Sequence, residues 1–269
     1  MGKGVEGMPH KKVRVGIIGA GRIAEMVHVP SLRLCPDWCE VIAVASRTEE
    51  TAKAFAERLG IPRVHRDWGS LLADPDVDAV VICPPSGLTY PAAKAAIAAG
   101  RHILCEKPLG LSFPEARDLQ GAAERARIVH MVAFTFRFVP GLRYLKRLVS
   151  EGHFGEIRHW RLSYFMDFML DPSSPIVWRN QRAQAGGGIL CDMGSHAIDF
   201  ARYLLGDIVA VWMTFSAKGN LSSKKRHLAP KADGSVHIPN SDQKPGRKMH
   251  SGNSWIALRF ARIQRSSLV

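Results

Sequence analysis

Residues 13–24 read Val13-Arg14-Val15-Gly16-Ile17-Ile18-Gly19-Ala20-Gly21-Arg22-Ile23-Ala24. The apolar, β-branched first half predicts a short buried strand. The second half matches the dinucleotide fingerprint, in which Gly19 permits a tight turn, Gly21 lets a pyrophosphate approach and Ala24 keeps helix and strand close. The helix that follows offers free N–H groups to phosphates, beginning at Arg22 and Ile23. An ordinary glycine-rich turn is the alternative, and the strand-to-helix context favours the cofactor site.

Strands and helices alternate after this motif. Further strands are predicted at residues 41–45, 78–83, 102–105 and 129–134, and helices at 49–59, 91–99 and 115–126. Such alternation predicts an α/β fold with a doubly wound parallel sheet covered on both faces. Ligands of these sheets bind beyond the carboxyl ends of the strands. We therefore expect one rim to carry Gly19, Ser46, the segment Cys83-Pro84-Pro85, and Glu106-Lys107.

The residues after the second strand bear on the choice of cofactor. Ser46-Arg47-Thr48 occupy the place where an NAD site usually carries an acidic residue for the ribose hydroxyls. Hydroxyl groups and an arginine suit a 2′-phosphate instead. Glu49 and Glu50 come slightly late and fit the first turn of a helix capped by Thr48. The sequence favours NADP over NAD, although an arginine here can also stack on the adenine of NAD.

A second glycine-rich segment predicts a polar site. It reads Gly186-Gly187-Gly188-Ile189-Leu190-Cys191-Asp192-Met193-Gly194-Ser195-His196-Ala197-Ile198-Asp199. The glycines allow close approach of a ligand to the backbone, and the rest predicts one helix with Asp192 and His196 on the same face. An ordinary acid–histidine pair on a core helix is the alternative. Two ligands are too few for a metal site, and no third is apparent, so no metal is predicted.

Composition is that of a globular protein with room for two domains. The chain has 269 residues, of which 46% are hydrophobic and 23% charged. We expect no membrane-spanning segment, because no apolar run is long enough, and the first residues lack a signal-peptide core. The five cysteines show no paired metal-ligand spacing and suit reduced thiols in the cytoplasm.

The net charge of +13 has two interpretations. Basic residues are scattered, apart from a cluster at Lys224-Lys225-Arg226 within a polar stretch over about 218–252. Nucleic-acid binding needs such a patch on an ordered face with stacking aromatic side chains, and few aromatic residues are interleaved here. A solvated loop is favoured, and no nucleic-acid partner is expected.

Taken together, the motifs resemble those of the Gfo/Idh/MocA oxidoreductases. The matching segments run in the family's order and are Gly19 to Ala24, Glu106-Lys107-Pro108-Leu109, Phe136-Arg137-Phe138 with Pro140, Gly152-His153-Phe154-Gly155-Glu156-Ile157, Trp178-Arg179, and the Gly186 to Asp199 run. One position departs from the family's pattern. Gly87, Leu88 and Thr89 stand in a loop that usually carries a histidine, which bears on fine cofactor or substrate contacts rather than on the fold.

The resemblance implies two domains and a chemistry. We expect a Rossmann domain over 1–136 and a second α/β domain with a mostly antiparallel sheet over 137–269. A nicotinamide cofactor would bind between them beside a sugar, polyol or related alcohol, and family members form homo-oligomers. Lys107, Asp192 and His196 match the catalytic residues, and Trp178 and Arg179 match a pair often placed near the cofactor.

The resemblance also leaves two alternative functions open and leads to an expectation about the length of the second domain. Related architectures also serve as cofactor-binding sensors or inactive subunits, or as NAD-dependent glycosidases, and both remain alternatives. The strand pattern at 255–260 is followed by only nine residues. We therefore expect a truncated second domain whose incomplete sheet exposes an unpaired edge and compromises oligomer formation. The alternative is a genuine short form whose basic loop covers that edge.

Overall fold

The computed structural model describes residues 11–164, 175, 177–216, 226–228 and 255–263. The chain divides into two compact units, Met1–Phe134 with Ile176–Asp192, and Thr135–Pro175 with Met193–Val269. The sequence-based division is a single cut after residue 136, whereas here a later segment returns to the first unit. Trp178, Arg179 and Asp192 consequently belong to the unit that carries the glycine-rich loop.

Six strands form the sheet of the first unit. They are β1 (Val13–Ile18), β2 (Cys39–Ala45), β3 (Arg63–His65), β4 (Ala79–Ile82), β5 (His102–Cys105) and β6 (His130–Val132). Their order is β3-β2-β1-β4-β5-β6, and every neighbouring pair is parallel. The predicted parallel sheet of a Rossmann fold is confirmed.

Helices follow the strands. They are α1 (Val29–Arg33), preceded by a π-helical segment (Ala24–His28), α2 (Glu49–Leu59), α3 (Trp68–Ala73), α4 (Ser86–Ala98), α5 (Phe113–Ala126), α6 (Pro140–Ser150), α7 (Arg182–Ala185), α8 (Ile189–Asp192) and α9 (Gly194–Leu205). The predicted bounds of α2 are confirmed, because Thr48 caps its start and Gly60 ends it in the left-handed conformation.

One local prediction is wrong, and one strand–helix unit was not predicted. Helix α4 begins at Ser86 rather than at Pro91, so the proline lies inside the helix instead of opening it. The unit β3–α3 was not predicted, because three strand residues give too little pattern to recognise. Its helix nevertheless has a clear start, since the side chains and backbones of Asp67 and Ser70 cap each other.

The sheet has an apolar cluster on each face. Ile17 packs into the cluster that contains Val44 and Phe55, whereas its neighbour Ile18 packs into the other, with Leu71 among its members. Successive strand residues point to opposite faces, so a strand covered on both sides must be apolar throughout. This explains the continuous apolar run of β1.

In the second unit, Val149 of α6 packs with Leu204 and Leu205 of α9. Its described strands are β7 (Ile208–Ser216), β8 (Arg226–Leu228) and β9 (Trp255–Ile263), paired antiparallel in the order β8-β7-β9. The strand expected at 255–260 lies within β9. The wider antiparallel sheet stays a prediction. Most of the basic stretch 218–252 lies outside the described residues.

Two general features concern the described ranges. None of the helices found there is long and apolar enough to cross a membrane. All five cysteines are free thiols, as the sequence predicts. Cys83 and Cys105 are buried, which suits small apolar side chains in a core.

Phe55 provides a test of the apolar cluster that contains Ile17 and Val44. Its side chain is 1% exposed, and Phe55→Ala should cost about 3–5 kcal/mol of unfolding free energy because it leaves a cavity. The control Phe113→Ala removes a ring that is 58% exposed and should cost about 0.5 kcal/mol or less. Urea unfolding measures both, and equal losses would contradict the described packing.

Candidate functional site

The carboxyl ends of the central strands coincide. Ile18 is in register with Ala45 on one side and with Ile82 on the other, and Ile82 is in register with Cys105. The next residues along the four strands therefore emerge at one edge of the sheet. They are Gly19, Ser46, Cys83 and Glu106. The predicted rim is present, and the sequence identified it because each strand ends where its apolar run ends.

Gly19 is required by its surroundings. Its φ is +110°, and a β-carbon there would lie 2.8 Å from the carbonyl carbon and oxygen of Cys83. The Cys83 thiol is buried and lies 3.3 Å from the Gly19 carbonyl oxygen, to which it donates. Burial raises the pKa of this thiol. Cys83 thus packs against the glycine loop, and its thiol forms a hydrogen bond with the backbone of that loop. Pro84 and Pro85, which follow it, are half-buried.

Gly21 has the opposite environment. A β-carbon at this position would have no atom within 4 Å among the described residues. Arg22 and Ile23 begin the helix, and Ala24 is fully buried beneath it. An open surface at a glycine, next to a helix start, is the shape that admits a diphosphate close to the backbone. The residues present fit a dinucleotide.

In the described segment after β2, both acidic side chains, Glu49 and Glu50, have partners. The Thr48 hydroxyl accepts the Thr51 N–H at 3.3 Å and lies 2.9 Å from the Thr51 hydroxyl. Glu49 pairs with Lys53 at 2.7 Å, and hydrogen bonds from its own backbone and from Thr48 lower the pKa of Glu50. Ser46 is half-buried and Arg47 is exposed. Both acids thus serve the start of α2, as predicted.

A cluster of charges brings together three predicted site residues. Lys107 Nζ donates to Asp192 Oδ1 at 2.5 Å and to the Asp192 backbone carbonyl at 2.9 Å. Arg179 Nε donates to the other carboxylate oxygen at 2.9 Å, and its guanidinium lies 4.4 Å from the Trp178 ring centroid. The side chains of Lys107 and Asp192 are only 11% and 14% exposed. We call Lys107, Asp192 and Arg179 the charge cluster.

Asp192 is ionised in this setting. Burial pushes the pKa of its carboxyl upward, but the hydrogen bonds and charges of Lys107 and Arg179 outweigh burial and lower the pKa below its usual value. A carboxyl whose pKa is lowered by folding stabilises the fold above its unfolded pKa. That contribution disappears as pH falls through the lowered folded value. At neutral pH the cluster therefore contains one anion and two cations.

The prediction of one helix carrying Asp192 and His196 is wrong. Helix α8 ends at Asp192, α9 begins at Gly194, and Met193 separates them. Asp192 is the last residue of the first unit, while His196 belongs to the second. The buried His196 ring packs edge-on against Phe136 with 4.7 Å between centroids. A four-residue spacing implies a shared face only where the helix is continuous. The roles assigned to Asp192 and His196 stay predictions.

The second unit ties two of its motifs together. Arg137 of the Phe-Arg-Phe motif donates from Nε and Nη2 to the carboxylate of Asp199, which is buried. Asp199 is the last residue of the motif that contains His196, and Phe136 touches the His196 ring. The sequence identified both motifs as segments that resemble the family's but gave no reason to pair them, because 62 residues separate Arg137 from Asp199.

One residue near the cofactor edge was missed altogether. His28, at the end of the π-helical segment, is 4% exposed, and its Nε2 lies 2.8 Å from Glu106 Oε1. The other oxygen of Glu106 accepts the backbone N–H of Lys107 at 3.2 Å. The only signal in the sequence was a histidine within an otherwise apolar helix face. Among the described residues, no group of three histidine, cysteine or acidic side chains could hold a metal ion.

Comparison with known proteins gives a consistent result. A family model described as an oxidoreductase family with an NAD-binding Rossmann fold matches residues 13–134, and the GFO/IDH/MocA C-terminal domain matches residues 142–240. A levoglucosan dehydrogenase from Pseudarthrobacter phenanthrenivorans is 41% identical over 168 residues, covering 62% of this chain and 43% of the relative. The chain belongs to the Gfo/Idh/MocA oxidoreductase family.

Solved structures agree. An oxidoreductase domain protein from Kribbella flavida has a TM-score of 0.71 and 32% identity, covering 78% of this chain and 58% of its own. A levoglucosan dehydrogenase in complex with NADH and levoglucosan has a TM-score of 0.69 and 33% identity, covering 84% and 65% respectively. The chain spans about half the length of the curated relatives it matches.

The two loop glycines should respond differently to alanine. Gly19→Ala should lower the unfolding free energy by roughly 1–3 kcal/mol, because the positive φ and the Cys83 backbone oppose a side chain. Gly21→Ala should leave stability within about 0.5 kcal/mol, since its surroundings are open. Urea unfolding of the cofactor-free protein distinguishes them. Similar losses at both positions would contradict the described loop.

Proposed function

From its place in the Gfo/Idh/MocA family, we propose that the protein is an oxidoreductase that transfers hydride between a nicotinamide cofactor and a hydroxyl-bearing carbon of a sugar or polyol. The observation that carries this proposal is the charge cluster, held at the sheet edge that also carries Gly19 and Gly21. A cofactor-binding sensor needs the glycine loop alone. A nearly buried lysine hydrogen-bonded to an ionised carboxylate supports an enzyme, because such groups can exchange a bond between themselves for a bond to substrate.

The charge cluster suggests how a substrate alcohol is held. A bound nicotinamide ring supplies the hydride acceptor or donor. Lys107 donates to the reacting oxygen from the Nζ atom that here donates to Asp192 at 2.5 Å. Asp192 is ionised and accepts a hydrogen bond from a neighbouring substrate hydroxyl, while Arg179 keeps its carboxylate oriented. The imidazole of His196 is assigned to take the alcohol proton, since its ordinary pKa of about 6.5 suits a base near neutrality.

Substrate and cofactor consumption test the proposal together. The panel begins with levoglucosan, the compound bound by a similar dehydrogenase, and continues with inositols and other anhydro sugars and polyols. Each is incubated with NAD or NADP, and nicotinamide reduction is followed by absorbance. Cofactor reduction that depends on substrate supports net oxidoreduction. Substrate cleavage without accumulation of reduced cofactor would instead indicate the glycosidase alternative, and binding without any turnover would indicate a sensor.

Lys107→Ala should lower turnover far more than cofactor affinity. The loss expected for an acid–base group is roughly 10²–10⁴-fold in kcat. Lys94→Ala is the control, because Lys94 also pairs with a carboxylate, Asp118, but is 54% exposed on α4. Steady-state kinetics and calorimetric titration of cofactor separate the two effects. Near-normal kcat in the Lys107 variant would remove this residue from the reaction.

We also propose that NADP binds more tightly than NAD. Two observations support the proposal. The acidic residues that follow Ser46-Arg47-Thr48, Glu49 and Glu50, are engaged at the start of α2, and Arg47 is exposed. Arg47→Ala should weaken NADP by about tenfold and NAD much less, because only NADP carries the 2′-phosphate. Calorimetry with both cofactors measures this. Tighter binding of NAD by the wild-type protein would overturn the preference.

A further inference from the structure

The pair formed by His28 and Glu106 has no part in the chemistry described so far. The side chains are 4% and 12% exposed, and Nε2 of the histidine lies 2.8 Å from Oε1 of the glutamate. Enclosed ionisable groups carry a desolvation cost and need partners to persist. This pair joins two segments 78 residues apart in sequence, the dinucleotide helix and the segment that carries Lys107.

The local backbone explains how His28 reaches inward. Residues Ala24–His28 form a π-helical segment rather than an α-helix, and the Val29 N–H bonds back to the Ala24 carbonyl. A π-segment contains more residues per turn than an α-helix and so changes the direction in which the following side chains point. Ala24 and His28 are both buried on this segment, at its two ends. The helix that begins at the glycine loop thus carries an imidazole into the sheet edge.

Glu106 is fixed by three hydrogen bonds. Its backbone N–H donates to the Ile82 carbonyl at 2.8 Å, which anchors it to the end of β4. One carboxylate oxygen accepts from His28, and the other accepts the Lys107 backbone N–H at 3.2 Å. The main chain of Lys107 is therefore held from the side of the dinucleotide helix, while its Nζ is held by Asp192.

The charge of Glu106 also acts on two buried thiols. Burial and, to a smaller extent, the negative charge of Glu106 together raise the pKa of the Cys105 thiol to about 12. Burial and the same charge also raise the pKa of Cys83. Neither thiol is ionised at neutral pH, so neither adds a second negative charge beside Glu106. The Glu106 carboxylate accepts hydrogen bonds from the His28 imidazole and from the Lys107 backbone amide.

We infer that His28 is a positioning residue that acts through Glu106 to hold Lys107 in place, so that the cofactor-binding helix and the reacting lysine form one connected unit. This inference rests on the proposed function for its effect on turnover. Its structural core, the restraint on Lys107, concerns the cofactor-free protein. Loss of the imidazole frees one side of the Glu106 carboxylate, loosens the Lys107 main chain and misplaces Nζ relative to Asp192.

The reactivity of the Lys107 amine provides a test that needs no substrate. The cofactor-free protein is treated with a limiting amount of an acetylating reagent, and acetylation of Lys107 is quantified by mass spectrometry relative to that of exposed Lys94. His28→Leu should raise the relative labelling of Lys107 by about tenfold, the scale expected for loss of a hydrogen bond to a charged group. His28→Gln should restore slow labelling, because its amide N–H lies near the position of histidine Nε2. His28→Asn is too short to do so.

A matched control addresses general loosening of the fold. His65, on the edge strand β3, is another enclosed histidine near a carboxylate, with its Nε2 3.2 Å from Asp74 Oδ2 but not hydrogen-bonded to it, and with side chains 18% and 10% exposed. His65→Leu should leave Lys107 labelling unchanged. Unchanged labelling in His28→Leu, or an equal rise in His65→Leu, overturns the inference whatever the reaction proves to be. Failure of Gln to restore slow labelling also overturns it.

Kinetics test the catalytic consequence separately. Once a substrate is found, His28→Leu should lower kcat by about tenfold to a hundredfold while cofactor Kd stays within about threefold, because misplacement of a reacting group affects the chemical step most. In a Glu106→Ala background, His28→Leu should have no further effect on kcat, since the histidine acts through the glutamate. Additive losses, or a loss confined to cofactor Kd, overturn the positioning role.

Discussion

A nearly buried lysine needs an anion, and this requirement organises the first unit. Lys107 follows β5, but no carboxylate on neighbouring strands meets its Nζ; the partner is Asp192, 85 residues later. The chain returns to the Rossmann unit for residues 176–192 and leaves it again directly after that aspartate. Separating the pair would leave an uncompensated charge at 11% exposure, which is among the costliest changes a fold can undergo. Arg179 belongs to the same returning segment and pairs with the other oxygen of the Asp192 carboxylate.

The returning segment also packs closely against Gly87, one of the three residues that stand where the family usually carries a histidine. A β-carbon at Gly87 would lie 3.3 Å from the carbonyl oxygens of both Ala183 and Gln184, so α7 packs backbone to backbone against the start of α4. A larger residue there would push α7 outward, together with the Trp178–Asn180 turn that precedes it. The glycine is therefore coupled to the position of Arg179.

The sequence specified the sheet and its rim well, because both follow from local rules. Apolar runs ended at the strand ends, Thr48 capped α2, and Gly19 marked a turn that only glycine adopts. The failures share a cause in long-range packing. Whether a proline starts a helix or lies within it, as Pro91 does, and whether a helix continues past Met193, depend on neighbours distant in sequence. The His28–Glu106 and Arg137–Asp199 pairs join segments 78 and 62 residues apart, which no spacing rule reveals.

The net charge of the charge cluster bears on the proposed oxidation of an alcohol. Lys107 and Arg179 together outweigh Asp192, so the cluster carries a formal charge of +1. Oxidation of an alcohol places negative charge on oxygen as its proton leaves, and a fixed positive site of low exposure stabilises that charge more than water does. Arg179 is 38% exposed and Lys107 is 11% exposed, so solvent screens the charge of the lysine less than that of the arginine. A lysine paired with an ionised aspartate thus remains a net electrophilic site, because a second cation has already neutralised its partner.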